Sequence, residues 1–360
     1  MSSLRNFVCL GVYDTCVCTM FGRKSLLFVQ PAKHNSFRSL RTSASRYSRW
    51  PSYKNSKMKP RTDAAETPFE NIKIDGGPVG LSDLWKPLGF TIFFSSASFA
   101  GAAIWQYENM RAKAIALVKK PVGWMDGRIH RVKKWGKWRQ EMNSWWNGLT
   151  EGQRIFFPLC FANLLVFVAW RIPRLQGTMV RYFCSNPASR TLCWPMFLST
   201  FSHYSAFHLF ANMYVLHSFS SGAVAALSKE QFLALYLSAG VISSFSSYLF
   251  KVVTSQPGLS LGASGAIMAV LAYVCTKFPD TKLSIIFLPF FTFPAGTAIK
   301  VIMGLDAAGI LLRWKFFDHA AHLGGAAFGI AWCNWGNTYI WQKREPLLHW
   351  WHELRGGRIN

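Results

Sequence analysis

Two short strings in this 360-residue chain carry side chains suited to hydrolysis: Gly262-Ala263-Ser264-Gly265 and His322-Leu323-Gly324-Gly325, each opening an apolar run. A serine hydroxyl is a weak nucleophile until a base takes its proton, and imidazole is the base most often used for that step. Such groups are expensive inside lipid, so both are expected to face an internal cavity that water can reach. A third string, running from His203 through His208 to Asn212, adds hydrogen-bond donors. His208 and Asn212 are four apart, hence on one helix face, where their N–H groups can converge on an oxyanion. His203 falls near the start of that helix.

Taken singly, each string is a modest signal. Gly262 and Gly265 flank Ser264, and small residues also serve plain helix packing. The string is not the strand-to-helix nucleophile elbow of soluble hydrolases, because Ala266 stands where that motif needs glycine and an apolar helix follows. At a helix start, however, the unpaired backbone N–H of Ser264 can serve as a further oxyanion donor. Gly325 and Gly329 repeat at the four-residue spacing that lets two helices approach closely, which is how an imidazole on one helix reaches a hydroxyl on another. Asp318, four residues before His322, is expected to cap the last helix, with an orienting role for His322 as the alternative.

The elements that must position these groups follow from composition. The chain is 51% hydrophobic and 16% aromatic, and its repeated apolar stretches make it an integral membrane protein. A net charge of +24 would suggest nucleic acid in a soluble protein. Here the bases crowd the N-terminus and residues 111–139 without a base-reading module, so no nucleic-acid partner is expected. Residues 1–62 hold twelve Lys or Arg, many Ser and one acid, Asp14, the composition of a mitochondrial transit peptide with a basic N-terminal segment. Residues 63–86 read as a polar linker, 87–106 as a first transmembrane helix, 107–154 as a basic, Trp-rich juxtamembrane segment, 155–337 as the core, and 338–360 as a polar tail. Within the core, spans are expected over 155–172, 201–219, 231–252, 262–276, about 297–313, and 319–337, with 283–293 a membrane-hugging loop and 174–198 too polar to cross. The eight cysteines are scattered without C-x-x-C spacing, so neither a disulfide framework nor a metal site is expected.

Serine, histidine and a His/Asn donor pair in this order resemble the rhomboid intramembrane serine proteases, over about residues 150–340, and the strings at 181–183, 185–189, 236–243 and 314–325 are similar to mitochondrial members from animals. The resemblance implies an all-α rhomboid fold, a six-helix catalytic core with one extra N-terminal transmembrane helix. It implies cleavage of peptide bonds in or beside the helix of single-span proteins of the mitochondrial inner membrane, in quality control, mitophagy and apoptosis. Ser264 would be the nucleophile and His322 the base, a dyad without an acid. His208, Asn212 and the Ser264 backbone would hold the oxyanion, and His203, Gly262, Gly265, Gly325 and Gly329 would support the site. Membrane lipids are the other expected contact, no cofactor or metal is implied, and the oligomeric state is left open. One departure is Pro195 after Trp194, where many rhomboids carry arginine.

Two other classes compete. A rhomboid-like pseudoprotease would bind helices without cutting, but such lineages usually lack the serine or histidine that this chain keeps. A transporter would need charges along a polar path, and only Lys300 and Asp306 stand together in one span. An aspartyl intramembrane protease would need two facing aspartates in separate spans, for which Asp306 and Asp318 are poorly placed.

Overall fold

The structure is a computed structural model that describes residues 8–9, 77, 79–118, 136–256, 258–285 and 288–356. The expected presequence over 1–62, the linker before residue 77 and the basic residues 119–135 lie outside the described residues. The backbone of one two-residue strand, β1 (Val8–Cys9), is the exception, and it pairs in parallel with Leu283 and Ser284.

A 3₁₀ turn (Leu81–Leu84) leads into α1 (Trp85–Val118), which runs well past the expected end at residue 106. No proline or glycine interrupts residues 102–118, and the Ala-rich polar stretch after Gln106 sustains the helix beyond its apolar part. An amphipathic helix, α2 (Lys137–Gly148), precedes α3 (Glu151–Ala169), whose start is fixed by a capping box between Thr150 and Gln153. The segment too polar to cross folds into α4 (Gln176–Phe183) and α5 (Cys193–Leu198). Next come α6 (Ala206–Leu227) and α7 (Lys229–Val253), joined at Ser228, whose positive φ of 80° turns the chain while its hydroxyl caps α7. The helix α6 begins later than residue 201 because Ser205 supplies the cap.

After α8 (Ser264–Lys277) the expected membrane-hugging loop is instead a β-hairpin, β2 (Lys282–Ile285) with antiparallel β3 (Leu288–Pro294), so the fold is not purely helical. Its Phe-rich, β-branched run suits a strand as well as a loop. Then follow α9 (Ala295–Leu311), α10 (His319–Ala331), a π-helical stretch (Trp332–Trp341) and α11 (Glu345–Leu354). The polar tail expected over 338–360 is thus largely helical. Leu81–Val118, Glu151–Ala169 and Lys229–Val253 are long and apolar enough to cross a membrane, and Ser264–Lys277 is a shorter apolar helix.

Every residue of α8 from Gly265 to Cys275 is buried, so this helix, apolar all round, forms the centre of the bundle. It meets α10 with almost no side chain between the backbones. A β-carbon on Gly325 would fall 2.0 Å from the Gly265 carbonyl oxygen, and one on Gly329 would fall 2.2 Å from that of Ala269. On the other side, a β-carbon on Gly265 would meet the Ser243 hydroxyl of α7 at 2.3 Å. The leading helix α1 lies antiparallel to α7. Leu84 shares a cluster with Val241 and Tyr248 near one end, and Asn109 donates to Glu230 (2.8 Å) at the other.

These clearances set a test. Gly325→Ala should lower the unfolding midpoint in detergent by the equivalent of about 1–3 kcal/mol, whereas Gly304→Ala, whose new carbon meets nothing within 4 Å, should leave it unchanged.

Candidate active site

Ser264 is the first residue of α8, delivered by a loop whose backbone is pinned on both sides. Ser185 and Ser260 form an isolated antiparallel bridge, and the Gly262 amide donates to the Ser199 carbonyl (2.9 Å). Gly262 has φ of +130°, a conformation that residues with a side chain rarely adopt. A β-carbon there would also lie 2.8 Å from Cε1 of His208 and 3.2 Å from its Nε2. Glycine at 262 is therefore demanded twice, by backbone angle and by the ring.

Across the α8–α10 contact, Nε2 of His322 stands 2.8 Å from Oγ of Ser264. His322 is buried, on the first turn of α10. The three polar residues near α6 gather on the other side of the serine. His203 is fully buried before the helix, its Nε2 lying 2.9 Å from the Asn212 side-chain amide and accepting from the Ala263 N–H at 3.4 Å. A backbone N–H can only donate, so His203 carries its proton on Nδ1 and its Nε2 is an acceptor. One Asn212 N–H is thereby taken by His203 and the second is left for another acceptor. The His203 and His208 rings meet edge to face at 4.9 Å. The point where a Gly262 side chain would start is 3.2 Å from His208 Nε2 and 3.8 Å from Ser264 Oγ, so the ring and the hydroxyl both approach the bare glycine.

The structure also brings in a residue that was not among the expected site residues. Oδ1 of buried Asp306, on α9, lies 3.1 Å from Nδ1 of His322 and 2.7 Å from Nδ1 of His319. The signal was present in the sequence: Ala298, Ile299, Ile302, Asp306 and Gly309 fall at helical spacing on one buried stripe, with a carboxylate where an apolar residue belongs. The donor atoms of Asp306, His319 and His322 lie within 4.8 Å of one another and are of types that could hold a divalent cation. In this structure they are joined to each other by hydrogen bonds.

Asp318 does not reach His322. Its Oδ1 accepts from the Ala321 amide (3.0 Å), capping α10, while Oδ2 takes the hydroxyls of Ser247 and Ser260 and pairs with Lys251 at 3.6 Å. This network ties the end of α7, the loop before Ser264 and the start of α10 together. Burial pushes the Asp318 carboxyl up, but the Lys251 ammonium, both hydroxyls and the Ala321 amide outweigh it and hold the group below the ordinary carboxylate range. Trp194 is 60% exposed and meets Phe90 edge-on, while the neighbouring Pro195 and Met196 are buried. The α5 segment is thus anchored by its apolar residues.

A rhomboid domain model matches residues 190–335, the stretch that contains His203, His208, Asn212, Ser264, Asp306, Asp318, His319 and His322. Over 289 residues the chain is 55% identical to the presenilin-associated rhomboid-like protein, mitochondrial, of Homo sapiens, covering 80% of this chain and 76% of the relative. The chain belongs to the rhomboid family. Among other rhomboids, the presenilin-associated rhomboid-like protein A, mitochondrial, of Danio rerio is 48% identical over 289 residues, 76% of each chain. The rhomboid protein 1, mitochondrial, of Saccharomyces cerevisiae is 30% identical over 203 residues, 55% of this chain and 58% of the relative. Rhomboids are usually serine proteases, and the family also includes inactive members.

Two measurements probe this rhomboid site. Gly262→Ala, which strains the backbone and displaces His208, should lower kcat by at least about 10²-fold, on the scale of losing an oxyanion donor. For Asp318 the depressed folded pKa gives a stabilisation that is complete above the unfolded value near 3.9 and disappears as pH falls through the folded one. Unfolding midpoints followed from about pH 6 to about pH 3 should therefore drop at the acid end, and Asp318→Asn should flatten that drop.

Proposed function

We propose that this chain is an intramembrane serine endopeptidase of the mitochondrial inner membrane. It would hydrolyse peptide bonds in or next to the transmembrane helix of single-span proteins, with roles in mitochondrial quality control, mitophagy and apoptosis. The observation that carries the reading is the 2.8 Å approach of His322 Nε2 to Ser264 Oγ between two apolar helices. Packing alone gives no reason to aim an imidazole nitrogen at a hydroxyl there.

Chemically, the Ser264 hydroxyl gives its proton to His322 as it attacks the scissile carbonyl, and His322 returns that proton to the leaving amine. The negative oxygen is received by the Ser264 backbone N–H, His208 and the free N–H of Asn212, each donor worth about 3–4 kcal/mol by analogy with soluble proteases. His203 holds Asn212 in register. Substrates with small or helix-breaking residues near the cut are favoured, because an intact helix keeps its carbonyls bonded internally. The membrane arrangement proposed is one helix, α1, ahead of a six-helix core formed by α3, α6, α7, α8, α9 and α10.

Reconstituted protein given a single-span substrate should cleave it, and Ser264→Ala or His322→Ala should each reduce cleavage to background. A serine-directed fluorophosphonate should label the wild type and not Ser264→Ala. Cleavage that survives both substitutions would refute the dyad. Binding of the substrate without cleavage by the wild type would make the chain a helix-binding pseudoprotease.

A further inference from the structure

The environment of α9 extends the dyad. Its packed face is a stripe of Ala298, Ile299, Ile302, Asp306 and Gly309, and only one member of that stripe is charged. A carboxylate buried among apolar residues is strongly unfavourable unless hydrogen-bonded to partners that stabilise its charge. The partners Asp306 has are two imidazoles of α10, both through Nδ1 and both on the same oxygen, Oδ1, while Oδ2 has none among the described residues. The close approach has a cause one turn further on. A β-carbon on Gly309 would fall 2.4 Å from Nε2 of His319, so the absence of a side chain lets the His319 ring lie on the α9 backbone and reach Asp306.

Proton bookkeeping follows from the Ser264 contact. For the Ser264 hydroxyl to donate to Nε2 of His322, that nitrogen must be bare, so the neutral ring carries its proton on Nδ1. Nδ1 is the atom 3.1 Å from Asp306. Ser264, His322 and Asp306 thus form one directional chain, O–H to Nε2 and Nδ1–H to carboxylate, across α8, α10 and α9. When His322 takes the serine proton, the imidazolium forms beside a fixed negative charge in a buried site.

We infer that Asp306 is a positioning residue for His322, fixing its tautomer and stabilising its protonated form, and that His319 holds the Asp306 carboxylate in place for that task. The inference rests on the Ser264–His322 protease reading. Asp318, the acid closer in sequence, is excluded by its bonds to Ser247, Ser260, Lys251 and the Ala321 amide. The groups that face the His322 ring are Asp306 from α9, His319 from its own helix, Ser264 from α8 and His208 from α6.

Steady-state cleavage of a single-span substrate in proteoliposomes tests this with Asp306→Asn, His319→Asn and His319→Leu. Asp306→Asn should lower kcat by about 10²–10⁴-fold, as loss of the orienting acid does in soluble triads, with KM little changed. Its residual activity should show the acid limb of the kcat/KM profile moved to lower pH, because the imidazolium has lost its counter-charge. A His319→Asn amide can still donate to Asp306 from the position of Nδ1, so this variant should stay within about threefold of wild type, whereas His319→Leu should lose at least about tenfold in kcat. An Asp306→Asn enzyme with kcat within about threefold of wild type and an unmoved acid limb would overturn the inference. So would equal activity of His319→Asn and His319→Leu. Should Asp306→Asn not fold, the wild type still answers: a strongly deshielded imidazole N–H proton, assigned by its loss in His322→Gln, must be present in its NMR spectrum, and its absence counts against the Asp306 bond. Failure of the protease reading is seen separately, as cleavage that persists in Ser264→Ala.

Discussion

The whole site depends on how closely two helix backbones can approach. Gly325 and Gly329 of α10 face the carbonyl oxygens of Gly265 and Ala269 on α8, with no room for even one added carbon at either glycine. Without a hydrophobic driving force between helices in lipid, such contacts are held by van der Waals packing, which falls away within an ångström. The serine begins one of these helices and the histidine lies on the first turn of the other. Their 2.8 Å separation is therefore a property of four small residues as much as of the serine and histidine themselves. Ser243 on α7 and Gly265 repeat the arrangement on a second side, so α8 is gripped between two neighbours rather than leaning on one.

Polar groups enter this apolar interior in several sets, two of which hold the segment around Ser264. One set centres on His203, which takes both the Asn212 amide and the Ala263 N–H. The other sits at the bundle end, where Asp318 gathers Lys251, Ser247, Ser260 and the α10 amide. Each set joins at least two separate stretches of chain, and each touches the short segment around Ser264. In a low-dielectric setting a half-satisfied network is worse than none, which is why both sets are nearly complete. The buried charges thus specify the position of the loop before Ser264 more than they add to stability.

Much of the site was legible in the sequence, and the reason is local. His208 and Asn212 share a helix turn, Gly262 flanks Ser264, and Gly325 and Gly329 announce a close helix contact by spacing alone. Asp306 was harder, since it stands 16 residues before His322 on a different helix, and only the packing of α9 against α10 makes them neighbours. The carboxylate on an otherwise apolar stripe was its trace. The fold was legible in its long helices and less so in its margins. The short Phe-rich run that became β2 and β3 has no period that separates strand from loop. Residues 107–118 continued as helix because nothing stops them, and the π-helical Trp332–Trp341 has no sequence signature of the kind that marks a cap.

The two ends of the described fold also meet. Helix α1 is bound by the last described elements: Phe99 in its apolar part stacks on Trp332 at 3.8 Å, and further along Arg344 donates to Gln106 (2.9 Å) while Trp351 and Arg355 both donate to Glu108 (2.8 and 2.6 Å). These pairs are separated by more than 230 residues of chain. Closing so large a loop comes late in folding, because its entropy must be overcome before the contacts exist to repay it. The contacts of α1 with α11 therefore cannot form until nearly all of the intervening chain has been made, although its packing along α7 can form earlier.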